Sequence, residues 1–330
     1  MIVCTTATLA RLSHVLELSQ SVRTYHPEAK FVLGLIEDWV PETVAHSPWL
    51  DRVILMKDIG IPDFRAFIFK LSASQAHQAV KSSFIAYLLS YETHADTVIY
   101  LDHTMKLYGP LREAVEALER HSIVLTPRLC EPNYTSSYDR ELQFLHAGTF
   151  NGGFIGARRN EGAHQFLFWW ADKLNRDQWL DLVPVLFDSV VVRHPGYHAA
   201  CWNLFEQSRQ FGSVETDRAV LAGGPLLCVN FRDEKNEFEA SLSSLTEQQA
   251  EFARKLQQQY NTAIQGHESN GFNRETVWSY DFYYNGERIV QAAREAYSER
   301  DNMPFLADPY ACSNKHILGV VHEHKKEMNN

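Results

Sequence analysis

Five short apolar runs constrain this chain more than any other feature: "MIVCTTA", "KFVLGLIE", "RVILM", "TVIYLD" and "SIVLTP". Most are almost continuously apolar, with little alternation. That is the habit of strands buried on both faces, in a mostly parallel sheet with helices packed on either side. Helical patterns separate them: "LARLSHVLELSQSVRTY", then "SSFIAYLLSYE" with Phe84, Leu88 and Tyr91 at helical spacing, then "PLREAVEALERH" opened by Pro110. This βαβ rhythm predicts an open, doubly wound α/β sheet.

Ligands of such sheets bind beyond the carboxyl ends of the strands. Three polar groups of residues fall there: Thr5 with Thr6, Asp102, and Thr126 with Arg128. The competing reading is that Asp and Thr at strand ends cap the turns that follow. "VIYLDHTMKLYGPL" reads as a buried strand, a turn and a helix, with Asp102 where the apolar strand stops.

The rest of the chain limits what this sheet is expected to do. At roughly 150 residues per domain, 330 residues suit two domains, or one α/β domain with a long appendage. A net charge of −10, from 31 Lys and Arg against 41 Asp and Glu, argues against a basic surface for nucleic acid. "MIVCTTATLARL" lacks the pattern of a signal peptide, and no apolar stretch approaches roughly 20 residues, so no membrane span and a cytoplasmic location are expected. Cys4, Cys130, Cys201, Cys228 and Cys312 are scattered, with no CxxC pair, which suggests reduced thiols and neither a zinc site nor a disulfide framework.

Downstream, "EPNYTSSYDRELQF" reads as a loop and short helix, and "TFNGGFIGARR" as a strand whose glycines allow a close approach. "EGAHQFLFWWADKLN" and "QWLDLVPVLF" read as helices, and "LLCVNF" as a small strand. Ser244 to Glu247 has a capping-box pattern before a helix carrying Phe252, Leu256, Tyr260 and Ile264 on one face. There is no GxSxG, GxxxxGK[ST] or HExxH motif, and "FNGGFIG" does not open a helix as a dinucleotide fingerprint must. "HEH", His322 to His324, reads as a polar chain end in preference to a metal site.

Four segments in order, "VIYLDHTMKLYGPL", "TFNGGFIGARR", "DQWLDLVP" and "HPGYHAACWNL", resemble bacterial GT-A glycosyltransferases close to glycosyltransferase family 8. The resemblance spans Met1 to Phe231. It implies a GT-A, Rossmann-like mixed sheet over residues 1–235, flanked by helices, and a mainly helical extension over 236–330 packed on that core. It further implies a hexosyl- or related transferase of glycan biosynthesis, using a nucleotide-sugar donor such as a UDP-sugar, usually with retention. The acceptor, whether glycan, lipid-linked or protein, is left open.

Carried over by position, Thr5, Thr6 and Ala7 would meet base and ribose, and Lys81 the donor. Asp102 would accept a sugar hydroxyl, Asn151 with Gly152 and Gly153 would adjoin the transferred sugar, and Asp177 and Gln178 its reacting face. Asp177 has a second reading as a helix cap. Tyr197, His198, Trp202 and Asn203 would line the sugar or acceptor side, with core packing the alternative for Trp202.

The family holds Mn²⁺ or Mg²⁺ with a strand-end Asp-x-Asp and a later histidine, and the ion neutralises the departing diphosphate. Here those positions read Asp102-His103-Thr104 and Asn230. A hydroxyl and an amide cannot replace two strong ligands, so the expectation is no metal, with Lys81, Arg232 and Lys235 supplying positive charge. Mn²⁺ or Mg²⁺ enters only if Asp102 holds it with His103 or water. The rival readings are a decayed transferase fold acting as a binding or scaffold protein and, less favoured, a nucleotide-sugar hydrolase.

Overall fold

The structure, a computed structural model, describes residues 1–132, 138–215, 218–232, 237–243, 245–269, 276–298 and 308–319. The apolar runs become strands β1 (Ile2–Ala7), β2 (Lys30–Leu35), β3 (Arg52–Leu55), β4 (Thr97–Leu101) and, after a short β5 (Met105–Leu107), β6 (Ile123–Pro127). The glycine-bearing run forms β7 (Phe150–Arg158), and β8 (Ser189–Val191) follows. Seven of these form one mixed sheet in the order β3-β2-β1-β4-β7-β6-β8. The strands from β1 to β4 in this sheet are parallel, β7 runs antiparallel to both β4 and β6, and β6 and β8 are parallel.

The continuous apolar character has the cause the sequence suggested. Along β1 and β4, Ile2, Cys4, Val98 and Tyr100 face one buried cluster, and Val3, Ala7, Ile99 and Leu101 face the other. Helices Lys81–Tyr91 and Glu161–Asp172 cover the first face, and Leu12–Tyr25 covers the second. Phe84 and Leu88 are buried as the spacing requires, whereas Tyr91 is 70% exposed. Strand β1 has β2 on one side and β4 on the other, so the order reverses there and the carboxyl ends diverge.

Strands β9 (Ala199–Ala200), β10 (Phe211–Glu215), β11 (Arg218–Leu221), β12 (Gly224–Pro225) and β13 (Cys228–Asn230) follow the core and make two smaller sheets: β10-β11-β12 in that order, and another in which β13 lies between β5 and β9. The turn expected after Asp102 is therefore followed by a strand. β5 pairs antiparallel with β13 in a register that sets Met105 opposite Asn230.

"QWLDLVPVLF" is also less regular than its pattern suggests, being a 3₁₀ helix, Asp177–Leu182, followed by one α turn, Val183–Leu186. Tertiary hydrogen bonds explain the tighter winding. Asp181 Oδ1 accepts from both Thr149 N and Thr149 Oγ1 at 2.7 Å, and Asp177 is drawn to residues outside the helix.

Helix Glu247–Ser269 opens with Thr246 and Gln249, whose side chains accept each other's backbone N–H at 3.4 and 3.3 Å; Ser244 of the expected box lies outside the described residues. Leu256, Tyr260 and Ile264 bury its inner face against β13, and Tyr260 Oη bonds His14 Nδ1 at 2.8 Å. The aperiodic stretch beyond it still enters the core. Trp278 Nε1 donates to Ile36 O at 2.8 Å, and Arg294, 2% exposed, donates to Phe69 O, Leu71 O, Tyr280 O and Asp281 Oδ1. Among the described residues no helix is long and apolar enough to cross a membrane. His322 to His324 lie outside them.

Candidate functional site

Asp102 lies just past the carboxyl end of β4, at the strand-order reversal, and is 2% exposed. Tyr100 Oη donates to its Oδ1 at 3.1 Å, and Lys81 Nζ stands 3.3 Å from the same atom. Lys81 is fully buried at the start of its helix, 4.7 Å above the Tyr100 ring. Its hydrogen-bond partners are Gln78 Oε1 at 2.9 Å and Gly152 O at 2.7 Å. Burial, the largest single influence, would raise the Asp102 pKa, but Lys81 together with the other positive neighbours, Arg232 among them, holds the carboxyl well below the usual range.

The positions that depart from the family pattern bond to each other. Thr104 Oγ1 donates to Asn230 Oδ1 at 2.9 Å, and Arg232 N donates to the same oxygen at 3.0 Å. Asn230 Nδ2 therefore donates to His198 Nε2 at 3.3 Å, which leaves His198 Nδ1–H to donate to Thr126 Oγ1 at 2.9 Å. His198 is 1% exposed with φ +51, and burial first, then Arg128, pushes its pKa down to about 3. The result is a neutral chain of hydrogen bonds, Thr104–Asn230–His198–Thr126.

A divalent cation does not suit this donor set. The Lys81 ammonium already stands against Asp102, and the Thr104 and Asn230 oxygens are bonded within the chain. Among the described residues no group of three or more His, Cys, Asp or Glu is placed to hold a metal. His103 is 4% exposed, in edge contact with His77 at 5.0 Å between ring centroids, and burial pushes its pKa down to about 3.

The glycines of β7 bring a second set of polar groups to the same end. A Cβ on Gly153 would come 2.8 Å from Asn151 Oδ1 and 2.9 Å from Asp102 Oδ2, and one on Gly152 would come 2.9 Å from Asp177 Oδ1. Only glycine lets these three side chains converge on the strand. Asn151 Oδ1 accepts from Gly153 N at 2.7 Å, and Asp177 Oδ1 from Gly152 N at 3.1 Å. Asp177 Oδ2 is paired with Arg128 Nη2 at 2.8 Å. Burial raises the Asp177 pKa and Arg128 opposes the rise. Asp177 is thus no side-chain cap: Arg176 holds the cap position without a side-chain hydrogen bond.

The chain is similar in structure to several sugar transferases, all of low identity. One is a galactosyltransferase, LgtC, in complex with donor and acceptor sugar analogues: TM-score 0.44, 13% identity, covering 74% of this chain and 96% of that one. Another is a glycosyltransferase involved in glycosylation of the major capsid of PBCV-1: TM-score 0.39, 10% identity, 73% and 98%. A third is mouse xyloside xylosyltransferase 1, apo form: TM-score 0.37, 15% identity, 60% and 86%. No protein-family profile and no curated protein matches the sequence.

The expected site residues divide in space. Lys81, Asp102, Thr104, Asn151, Gly152, Asp177, His198 and Asn230 are linked to one another through hydrogen bonds, ion pairs or the glycine approaches, and the Arg232 backbone joins them at Asn230. Thr6 joins through Tyr100, its Oγ1 2.9 Å from Tyr100 Oη, while Thr5 and Ala7 are buried at the end of β1. Gln178 is exposed and donates to His146 O at 3.3 Å.

Tyr197 turns into the core, its hydroxyl on Glu113 Oε2 at 2.9 Å, and Asn203 bonds the backbone of Arg128 and His198. The Trp202 ring lies under the Arg128 guanidinium and meets His198 edge to face. Lys235 lies outside the described residues. Tyr100 was not among the expected site residues. Arg128 was marked only by its strand-end position beyond β6, since its pairing with Asp177 depends on the loop after helix Glu161–Asp172.

Proposed function

We propose that this protein transfers a sugar from a nucleotide-activated donor, a UDP-sugar by preference, to an acceptor, with retention and without a divalent metal. The observation that carries this reading is the buried Lys81–Asp102 pair at the strand-order reversal, with Asn151, Gly152 and Asp177 gathered beside it. A binding scaffold has no use for so many polar groups on one strand end, each costly to bury.

In this reading Asp102 and Asn151 accept hydroxyls of the donor, and the Arg128–Asp177 pair fixes the carboxylate beside the sugar. Gln178 is a poor nucleophile and Asp177 is held by Arg128. Same-face attack, with the departing phosphate taking the acceptor's proton, is the route that asks least of these side chains. Charge on that phosphate falls to backbone N–H groups and to Arg232.

One feature favours a second reading, a module that binds without turnover: Lys81 has no exposed surface and is held by Gln78, Gly152 and Asp102. Incubation with nucleotide sugars in EDTA, followed by mass detection of products, separates the two. Transfer or hydrolysis in EDTA is expected, with Asn151→Ala slowing it at least tenfold, about 1.4 kcal/mol of transition-state stabilisation. Thr104→Asp should weaken donor binding in EDTA and be rescued by Mn²⁺ more than the parent is helped. A parent that is inactive in EDTA and restored by Mn²⁺ would overturn the metal-free mechanism.

A further inference from the structure

Beyond the carboxyl ends of β2 and β3, on the same edge of the sheet as Asp102, lies a polar cavity of about 420 Å³. Its charged walls are Asp38 after β2, Lys57 and Asp58 after β3, and Asp63 with Arg65 at the start of helix Phe64–Phe69. Lys57 Nζ bonds Asp38 Oδ1 at 3.0 Å, and Arg65 Nη2 stands 3.7 Å from the same oxygen. Asp58 and Asp63 differ: among the described residues neither carboxylate enters a hydrogen bond or ion pair. Asp63 holds the cap position of its helix at φ +46 without a side-chain cap bond, so its carboxylate is left to the cavity.

Tyr280 closes the floor. It is 2% exposed, its ring packs on Phe64, and its hydroxyl has no hydrogen-bond partner among the described residues. Burial first, then the Asp38 carboxylate, pushes the phenol's pKa up, which places the hydroxyl toward the charged end of the cavity. A buried hydroxyl without a partner is costly, and calls for a group that would supply one.

We propose that this cavity binds a neutral sugar residue, at a site separate from the donor end. The walls carry both signs. An anion would meet Asp58 and Asp63, and an ammonium would meet Lys57 and Arg65. Among the described residues no group of three or more His, Cys, Asp or Glu is placed to hold a metal. A hydroxyl both donates and accepts, so neighbouring hydroxyls of one ring donate to the open carboxylates and accept from the cations and Tyr280. Ile61 and Phe64 supply an apolar wall for the C–H face of the ring, and the volume lies in the range of small-molecule sites. The site goes beyond the transferase reading and does not depend on it.

Calorimetric titration of the full chain with lactose and with maltotriose tests this, with cadaverine as the cationic control. A sugar is expected to bind and cadaverine is not. The double variant Asp58→Asn with Asp63→Asn should weaken the sugar at least about tenfold, since charge-assisted hydrogen bonds become neutral ones. Tyr280→Phe should weaken it at least about threefold and keep the urea midpoint at or above the parent's, because the hydroxyl has no bond within the protein to lose. No binding of either sugar, affinity unchanged in these variants, or cadaverine bound in place of the sugars would overturn the proposal. So would displacement of the sugar by UDP, which would make the cavity part of the donor end. UDP titration keeps the two readings apart. UDP bound without any sugar response removes this site alone, and sugar bound in the cavity without UDP removes the transferase reading and leaves the site standing.

Discussion

Lys81 and Asp102 illustrate how a residue's surroundings set its role. The sequence offers a lysine opening a helix, where solvated surface charge is the ordinary reading, yet the fold encloses it completely. Its N–H groups meet a carboxylate, an amide oxygen and a backbone carbonyl, and the pair depends on both members. Lys81→Met leaves a buried carboxylate without its counter-charge, and urea unfolding should show a loss of about 3–5 kcal/mol. The double variant Lys81→Met with Asp102→Asn should recover much of that loss, because no charge is then left unpaired. Equal losses in the single and double variants would place the stabilisation in packing instead.

At the scale of elements, the decisive contact is the pairing of β5 with β13, which carries Asn230 across 126 residues to Thr104. "LLCVNF" already reads as the small strand that becomes β13, but the three residues of β5 carry too little pattern, so the sequence suggested a turn and a helix there. The C-terminal elements depend on a comparable long-range tie. Arg294 bonds three backbone carbonyls and the Asp281 carboxylate from a buried position, joining helix Gln291–Ser298 to the Phe64–Phe69 region. Arg294→Met strands those carbonyls in the interior and is expected to cost about 3–5 kcal/mol in urea unfolding. Arg294→Lys should recover little, since a single ammonium cannot span the fork of a guanidinium. Full stability in the lysine variant would show that charge alone suffices.

Across the whole molecule, three histidines are buried neutral around the site: burial first of all pushes His77 down to about 4, and His103 and His198 each to about 3. Released by unfolding, each returns to an ordinary pKa near 6.5, roughly, so below that pH the unfolded chain binds more protons than the folded one. Their contribution to stability is complete above about pH 6.5 and is lost progressively as pH falls toward the folded values. Each adds at most about 1.4 kcal/mol per pH unit, so the three together predict a slope near 4 kcal/mol per unit between roughly pH 4.5 and 5.5. Urea unfolding across pH 4.5–8 reads this directly. A flat profile through pH 5 would mean that these imidazoles reach solvent.

The sequence by itself determined the doubly wound sheet, because strands buried on both faces must be apolar throughout and helices between them must be amphipathic. It also determined that Asp102 would stand at a strand end and that the glycines of β7 would admit close neighbours. Both are local consequences of chain geometry. Only the tertiary structure decided what those residues meet: Lys81 against Asp102, Thr104 against Asn230, Arg128 against Asp177. These partners lie 21, 126 and 49 positions apart. A contact of similar range decided that Tyr197 serves the core, its hydroxyl on Glu113. Pairings of this range depend on how whole layers stack, and local pattern and propensity carry no record of it.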